Sequence, residues 1–238
     1  VSGVEFVIAG LAVLVGAALQ GTIGLGLGML AGPILALLDP TLVPGPLLML
    51  ATVLTLVVVL RERAALDLAG TGWALAGRVP GTAAGALLVA VLSPDAVTVV
   101  LAAVVLLGTV ISALGWTPHP TRPALLLAGA ASGVMGTATS IGGPPMALVW
   151  QRLSGARLRA MMSAFFLVGC LLSLTALAIV GELTVDGIAA AAPLIPFVLL
   201  GYLGSRLLGR ALDHGRLRVL ALSVCAASAL ILLAGHLF

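Results

Sequence analysis

Apolar runs close to 20 residues long recur along this chain from end to end, separated by short clusters of Gly, Pro and charged residues. A hydrocarbon core of about 30 Å is crossed by about 20 helical residues at about 1.5 Å each, so runs of this length belong in a bilayer. Composition excludes the alternative. Of 238 residues, 61% are apolar and 8% are charged, whereas a soluble domain needs roughly a quarter charged residues. The expected fold class is an all-α polytopic membrane protein with the lipid bilayer as its surroundings.

The net charge of +3 comes with eleven basic residues, all arginine and scattered between the apolar segments. Nucleic acid requires a dense basic face, so it is not an expected partner. Cys170 and Cys225 lie inside apolar runs, without the spacing of a disulfide framework or a metal site, and read as packing residues. Val1 to Gln20 has no basic stretch before its apolar run, so a cleaved signal peptide is not expected there.

Turn residues and charges divide the chain into eight segments, at 4–38, 44–60, 68–92, 95–116, 123–151, 158–180, 184–208 and 216–238. The first and fifth are too long for one crossing and too short for two. An unbroken helix over 4–38 would run about 50 Å. Each contains its own interruption: Gly21-Thr-Ile-Gly-Leu-Gly-Leu-Gly28 followed by Gly32-Pro33, and Gly133, Gly136 and Gly142-Gly-Pro-Pro145. Gly and Pro together stop a helix and restart it, with the first restart expected at Gly32-Pro33.

The two long segments also resemble each other, because Gly21 with Gly133, Gly24 with Gly136 and Pro33 with Pro145 are each 112 positions apart. Gly81 with Gly201 and Leu87 with Leu207 are 120 apart. These pairings predict a duplication, residues 1–116 and 120–238. If segments one and five enter and return without crossing, Arg61, Arg63, Arg122, Arg152, Arg157, Arg159, Arg206, Arg210, Arg216 and Arg218 all face one side, as the positive-inside rule prefers. Each half then has a broken hairpin plus three full transmembrane helices, and the odd number of crossings inverts the second half. Two inverted repeats with broken helices are the architecture of secondary transporters.

The residues most able to carry chemistry run from Ser132 to Pro145. Pro144 and Pro145 preset a helical first turn, leaving amides around Ile141, Gly142, Gly143 and Met146 short of intrahelical partners. An oxyanion suits such donors at the positive end of a helix dipole. Thr137, Thr139 and Ser140 add hydroxyls, and Thr22, Gly24, Gly26, Gly28 and Pro33 form a thinner counterpart in the first half. Gly81 with Gly85, and Gly201 with Ser205, read instead as close-packing seams.

With these residues in place, the chain resembles the sulfite exporter TauE/SafE family, also called toluene sulfonate uptake permeases. The resemblance spans nearly the whole chain and is most specific at Ser132-Gly and Ile141-Gly-Gly-Pro-Pro145. It implies transport of small sulfur-containing anions, such as sulfite, sulfonates or sulfoacetate, across the bacterial inner membrane. It points to Gly133, Gly142, Gly143, Pro144 and Pro145, and more weakly to Gly24, Gly28 and Pro33. The first-half stretch departs from the family pattern, with Leu alternating between the glycines from Gly24 to Gly28.

Arg78 is the one basic residue inside an apolar segment. Two readings stand side by side: an intramembrane cation that meets the anion, or a side chain that snorkels to an interface marked by Trp73. Gln20 reads as a bridge between helices and Gln151 as a loop residue. Every Asp and Glu lies at a segment edge or in a loop, and His119, His214 and His236 lie in loops or near the C-terminus. A side-chain proton relay is therefore not expected, and Ser132 and Ser140 have no base that would make them nucleophiles. The expected protein is a transporter, not an enzyme, with no cofactor and no metal. An anion channel and a non-transporting scaffold are the competing readings, and a homo-oligomer is left open.

Overall fold

The computed structural model describes residues 3–66, 68–114, 119–150, 152–153 and 155–211, with 223, 226–227, 230–231 and 234 beyond them. Cys225, Gln151, His214, His236, Arg216 and Arg218, and most of the eighth expected segment, lie outside the described residues. Ten α-helices are described: α1 (Gly3–Ile23), α2 (Leu27–Leu38), α3 (Gly45–Glu62), α4 (Leu68–Val91), α5 (Pro94–Leu114), α6 (Arg122–Thr139), α7 (Gly143–Trp150), α8 (Gly155–Ile179), α9 (Val185–Ala191) and α10 (Ile195–Ala211). No strand occurs among the described residues. Among the described residues, five spans are long and apolar enough to cross a membrane: Gly3–Ile23, Pro40–Ala65, Thr71–Val91, Gly155–Ile179 and Val185–Ser205. The chain is an all-α polytopic membrane protein.

Both long segments are broken, as their glycines predict, into α1–α2 and α6–α7. The first restart differs from the expectation. Gly24 (φ +88°) and Gly26 (φ +148°) take backbone conformations that favour glycine, so α2 begins at Leu27 and Pro33 lies inside it. The second restart falls at Gly143-Pro144-Pro145, where two prolines fit because first-turn amides have no intrahelical acceptor. The breaks therefore sit 116 positions apart, measured from Leu27 to Gly143. The pairing of Gly24 with Gly136 fails, because Gly136 lies inside α6.

Glycine seams set the helix pairing. A Cβ at Gly77, Gly81 or Gly85 of α4 would run into the carbonyl of Leu126, Ala130 or Val134 of α6, and one at Gly129 or Gly133 would meet the carbonyl of Ala74 or Arg78. Residue numbers rise together along this seam, so α4 and α6 are parallel, and their backbones approach as closely as small residues allow. In the same way α1 runs parallel to α10, with Gly10 against Phe197, Gly201 against the Leu14 carbonyl and Gly21 against Ser205. The seams expected at Gly81 and Gly85, and at Gly201 and Ser205, are both present. Helices α3 and α8 are antiparallel: Glu62 pairs with Arg159 at one end, and Gly45 lies near Leu183 at the other.

Apolar packing fills the space between these pairs. Val13, Leu27, Leu35, Leu47 and Leu54 belong to a buried cluster of α1, α2 and α3. Met146, Trp150, Met162 and Phe165 belong to one formed by α7 and α8 with α4 and α6. Leu127, Val91 and Ile179 face outward at more than 70% exposure, which lipid must cover. Gly81→Ala is expected to cost about 1–3 kcal/mol by overpacking against the Ala130 carbonyl. Gly204→Ala, which meets nothing within 4 Å, is expected to be neutral or slightly stabilising. Thermal unfolding of both variants in the same detergent checks the contrast.

Candidate anion site

The two breaks meet inside the bundle. A Cβ at Gly28, in the first turn of α2, would collide with the carbonyl of Ser140, which ends α6 in the left-handed region at φ +62°. A Cβ built on Gly143 would lie 3.7 Å from Leu25. Gln20 bridges the first break, its Oε1 accepting a hydrogen bond from the Leu27 amide at 3.1 Å. Thr139 does the same at the second, its Oγ1 accepting from the Ile141 amide at 3.3 Å.

Arg78 reaches this point from the middle of α4 and is 1% exposed. Its Nη1 donates to Ser132 Oγ at 2.8 Å, and Ser132 Oγ donates to the Gly142 carbonyl at 2.6 Å. Its Cζ lies 4.8 Å from the centroid of the Phe165 ring, a cation–π seat. Gly169, one turn beyond Phe165, leaves the slot through which the guanidinium passes, since a Cβ there would overlap it. Nε has no hydrogen-bond partner, and no carboxylate pairs with Arg78 among the described residues. The snorkelling reading is thereby overturned. Trp73 instead lies beneath the guanidinium of Arg122, 5.2 Å from its ring centroid.

Arg78, Gln20, Gly28, Ser140, Gly142 and Gly143 line a cavity of about 40 Å³, whose remaining walls include Leu25, Met29, Phe166 and Cys170. One water needs roughly 10–15 Å³ of such space, so the cavity suits a few waters or one small oxyanion. Cys170, read from sequence as packing, packs beside Leu48 and Leu177 and also forms part of this wall.

Several expected site residues do other work. Thr22 Oγ1 donates to the carbonyls of Ala18 and Ser205 in the α1–α10 seam. Thr137 shares a 2.7 Å hydrogen bond with Ser173, tying α6 to α8. The Thr139 hydroxyl donates to Met135 O and that of Ser140 to Pro44 O, so neither proton is left for a ligand. Gly133 belongs to the α4–α6 seam, and Gly24 faces Leu158 and Arg159. Pro33 is buried within α2, and Pro144 and Pro145 shape the first turn of α7 without lining the cavity. Of the residues singled out in the sequence, the structure brings Gly26, Gly28, Arg78, Ser140, Gly142 and Gly143 together, with Gly136 and Ile141 beside them.

Sequence reasoning missed the cradle of Arg78. Its signal was present as four-residue spacing, Ser132 with Gly136 on α6 and Phe165 with Gly169 on α8, each pair presenting one helical face. The expected helix-dipole attraction is also smaller than the motif suggests. Each break sets a helix C-terminus beside a helix N-terminus, and these ends carry opposite partial charges. The net positive charge at the cavity is that of Arg78.

A polytopic bundle whose interior holds a guanidinium with no carboxylate partner among the described residues and a small cavity between interrupted helices has the construction of a membrane transporter. Among the described residues no buried Asp, Glu or His accompanies Arg78, and no group of metal-binding side chains occurs. The chain matches the family described as sulfite exporter TauE/SafE over residues 8–232 and belongs to it. It is a multi-pass protein of the bacterial inner membrane that transports small sulfur-containing anions of the sulfite and sulfonate type, not an enzyme. No curated protein and no solved structure matches the chain.

Proposed function

We propose that the transported anion binds in the cavity between the two breaks, with Arg78 as its counter-charge and the amides of Gly28 and Gly143 as hydrogen-bond donors. The observation that carries this reading is the buried Arg78 guanidinium, which lines the cavity and has no carboxylate partner among the described residues. A desolvated charge without a partner is costly, and an anion entering the cavity relieves that cost. Gly143 supports the reading from a second direction. A Cβ there would meet only ordinary contacts at 3.7 and 3.8 Å, so its lack of a side chain serves the cavity and not the packing.

The same proposal gives the chain two inverted repeats, residues 1–116 and 120–238, with the hairpins α1–α2 and α6–α7 re-entering from opposite sides. The glycine seams support it. Gly81 on the Ala130 carbonyl corresponds to Gly201 on the Leu14 carbonyl, with each half's first helix, α1 or α6, packed on the helix of the other half's third apolar segment, α10 or α4. The Glu62–Arg159 pair, which brings the ends of α3 and α8 together, agrees with an arginine-rich face on one side of the membrane. Alternating access then comes from movement of the hairpin tips about a fixed site.

Purified protein is expected to gain thermal stability with sulfite or methanesulfonate and none with neutral amides of similar size. Ligand at a hundred times its Kd contributes about 2.7 kcal/mol of stabilisation. Equal stabilisation by a neutral amide, or none by any anion, removes the site. Steady picoampere-range currents through a single molecule would show a channel in place of an alternating carrier.

A further inference from the structure

We propose that the cavity selects a singly charged anion, so that sulfite is carried in its protonated, monoanionic form. The proposal rests on the site assigned above and follows from the charges that surround it. Arg78 contributes one positive charge. The faces of α6 and α8 packed around it present Ser132, Gly136, Phe165, Gly169 and Cys170. The Cys170 thiol is the titratable group among them, and a thiol is uncharged near neutral pH. No Asp, Glu or His is buried among the described residues.

The helix ends do not supply a second charge. At the first break α1 ends where α2 begins, and at the second α6 ends where α7 begins, so opposite dipole ends oppose each other in both places. The amides of the two N-termini are also partly consumed: Gln20 takes that of Leu27, and Pro144 and Pro145 have none. A monoanion brings the occupied cavity to neutrality, whereas a dianion leaves one uncompensated negative charge in a desolvated site. The Ser140 carbonyl beside Gly28 further makes the cavity a place of acceptors as well as donors, which suits an oxyanion that keeps one proton.

The test uses the wild-type full chain in lipid nanodiscs, with Kd measured calorimetrically for sulfite, methanesulfonate and sulfate from about pH 6 to about pH 9. Sulfite passes from one charge to two in this range, methanesulfonate keeps one and sulfate keeps two. The affinity for total sulfite is expected to fall about tenfold per pH unit above its second dissociation. Methanesulfonate should bind equally across the range, and sulfate not measurably. Sulfite affinity that holds or rises with pH, or sulfate binding as tight as that of methanesulfonate, overturns the proposal. So does a parallel decline of sulfite and methanesulfonate, which would report ionisation of a protein group such as Cys170. Failure of all three anions to bind removes the site itself, a result distinct from loss of charge selectivity at a working site.

Discussion

Arg78→Gln is expected to reduce anion flux in proteoliposomes by about thirtyfold to several thousandfold, the range given by about 2–5 kcal/mol for removing one partner of a buried charge pair. The variant loses the one net charge at the cavity and the Nη1 bond to Ser132, which in turn holds the Gly142 carbonyl at the second break. Stability should move differently from transport. Arg78 is a desolvated cation without a carboxylate partner among the described residues, and removing such a charge is often neutral or stabilising. The variant should therefore melt at or above the wild-type temperature without anion and show no further rise when anion is added. Arg78→Lys should fail as well, because an ammonium cannot reproduce the planar seat on Phe165 together with the bond to Ser132. Wild-type flux in either variant would remove Arg78 from the transport path.

Gly143→Leu is expected to abolish flux while leaving folded protein in the membrane. The first carbon of the new side chain fits, at 3.7 Å from Leu25 and 3.8 Å from Phe166. The atoms beyond it must enter a cavity of only about 40 Å³, which holds a few waters at most. Gly143→Ala, one methyl group, should keep the fold and lose only part of the flux. Gly142→Ala is a contrasting control, since its Cβ would lie 2.8 Å from both the backbone oxygen and the hydroxyl of Ser132 and should destabilise the break itself. Flux in reconstituted vesicles, alongside monodispersity on gel filtration, distinguishes a filled cavity from a damaged fold.

The membrane class and both helix breaks were legible because they depend on local facts: run length, Gly and Pro. The second break falls within the expected Gly142-Gly-Pro-Pro145 stretch, since Pro144 and Pro145 can occupy a first helical turn and little else mid-membrane, whereas Gly133 and Gly136, expected to belong to the interruption, lie inside α6. The first was misplaced because Pro33 was given the same meaning. Two glycines with positive φ at Gly24 and Gly26 had already interrupted the helix, and Pro33 is tolerated inside α2. Hydroxyl roles were not legible. Whether Thr137 points at a ligand or at Ser173 depends on which helix packs beside α6, and that is a long-range fact. Arg78 stood undecided for the same reason: its depth is local, but its burial depends on Gly169 of α8, 91 positions away.

The parallel seams have a consequence for the chain as a whole. The opening helix, Gly3–Ile23, is fastened along its length to Ile195–Ala211, and Arg122–Thr139 is fastened to Leu68–Val91. Neither sequence half can therefore complete its own core, and the molecule is a mutual embrace in which each half clasps the other. Cut near residue 118 and produced as two polypeptides, it should yield stable protein only when both fragments are made in the same membrane.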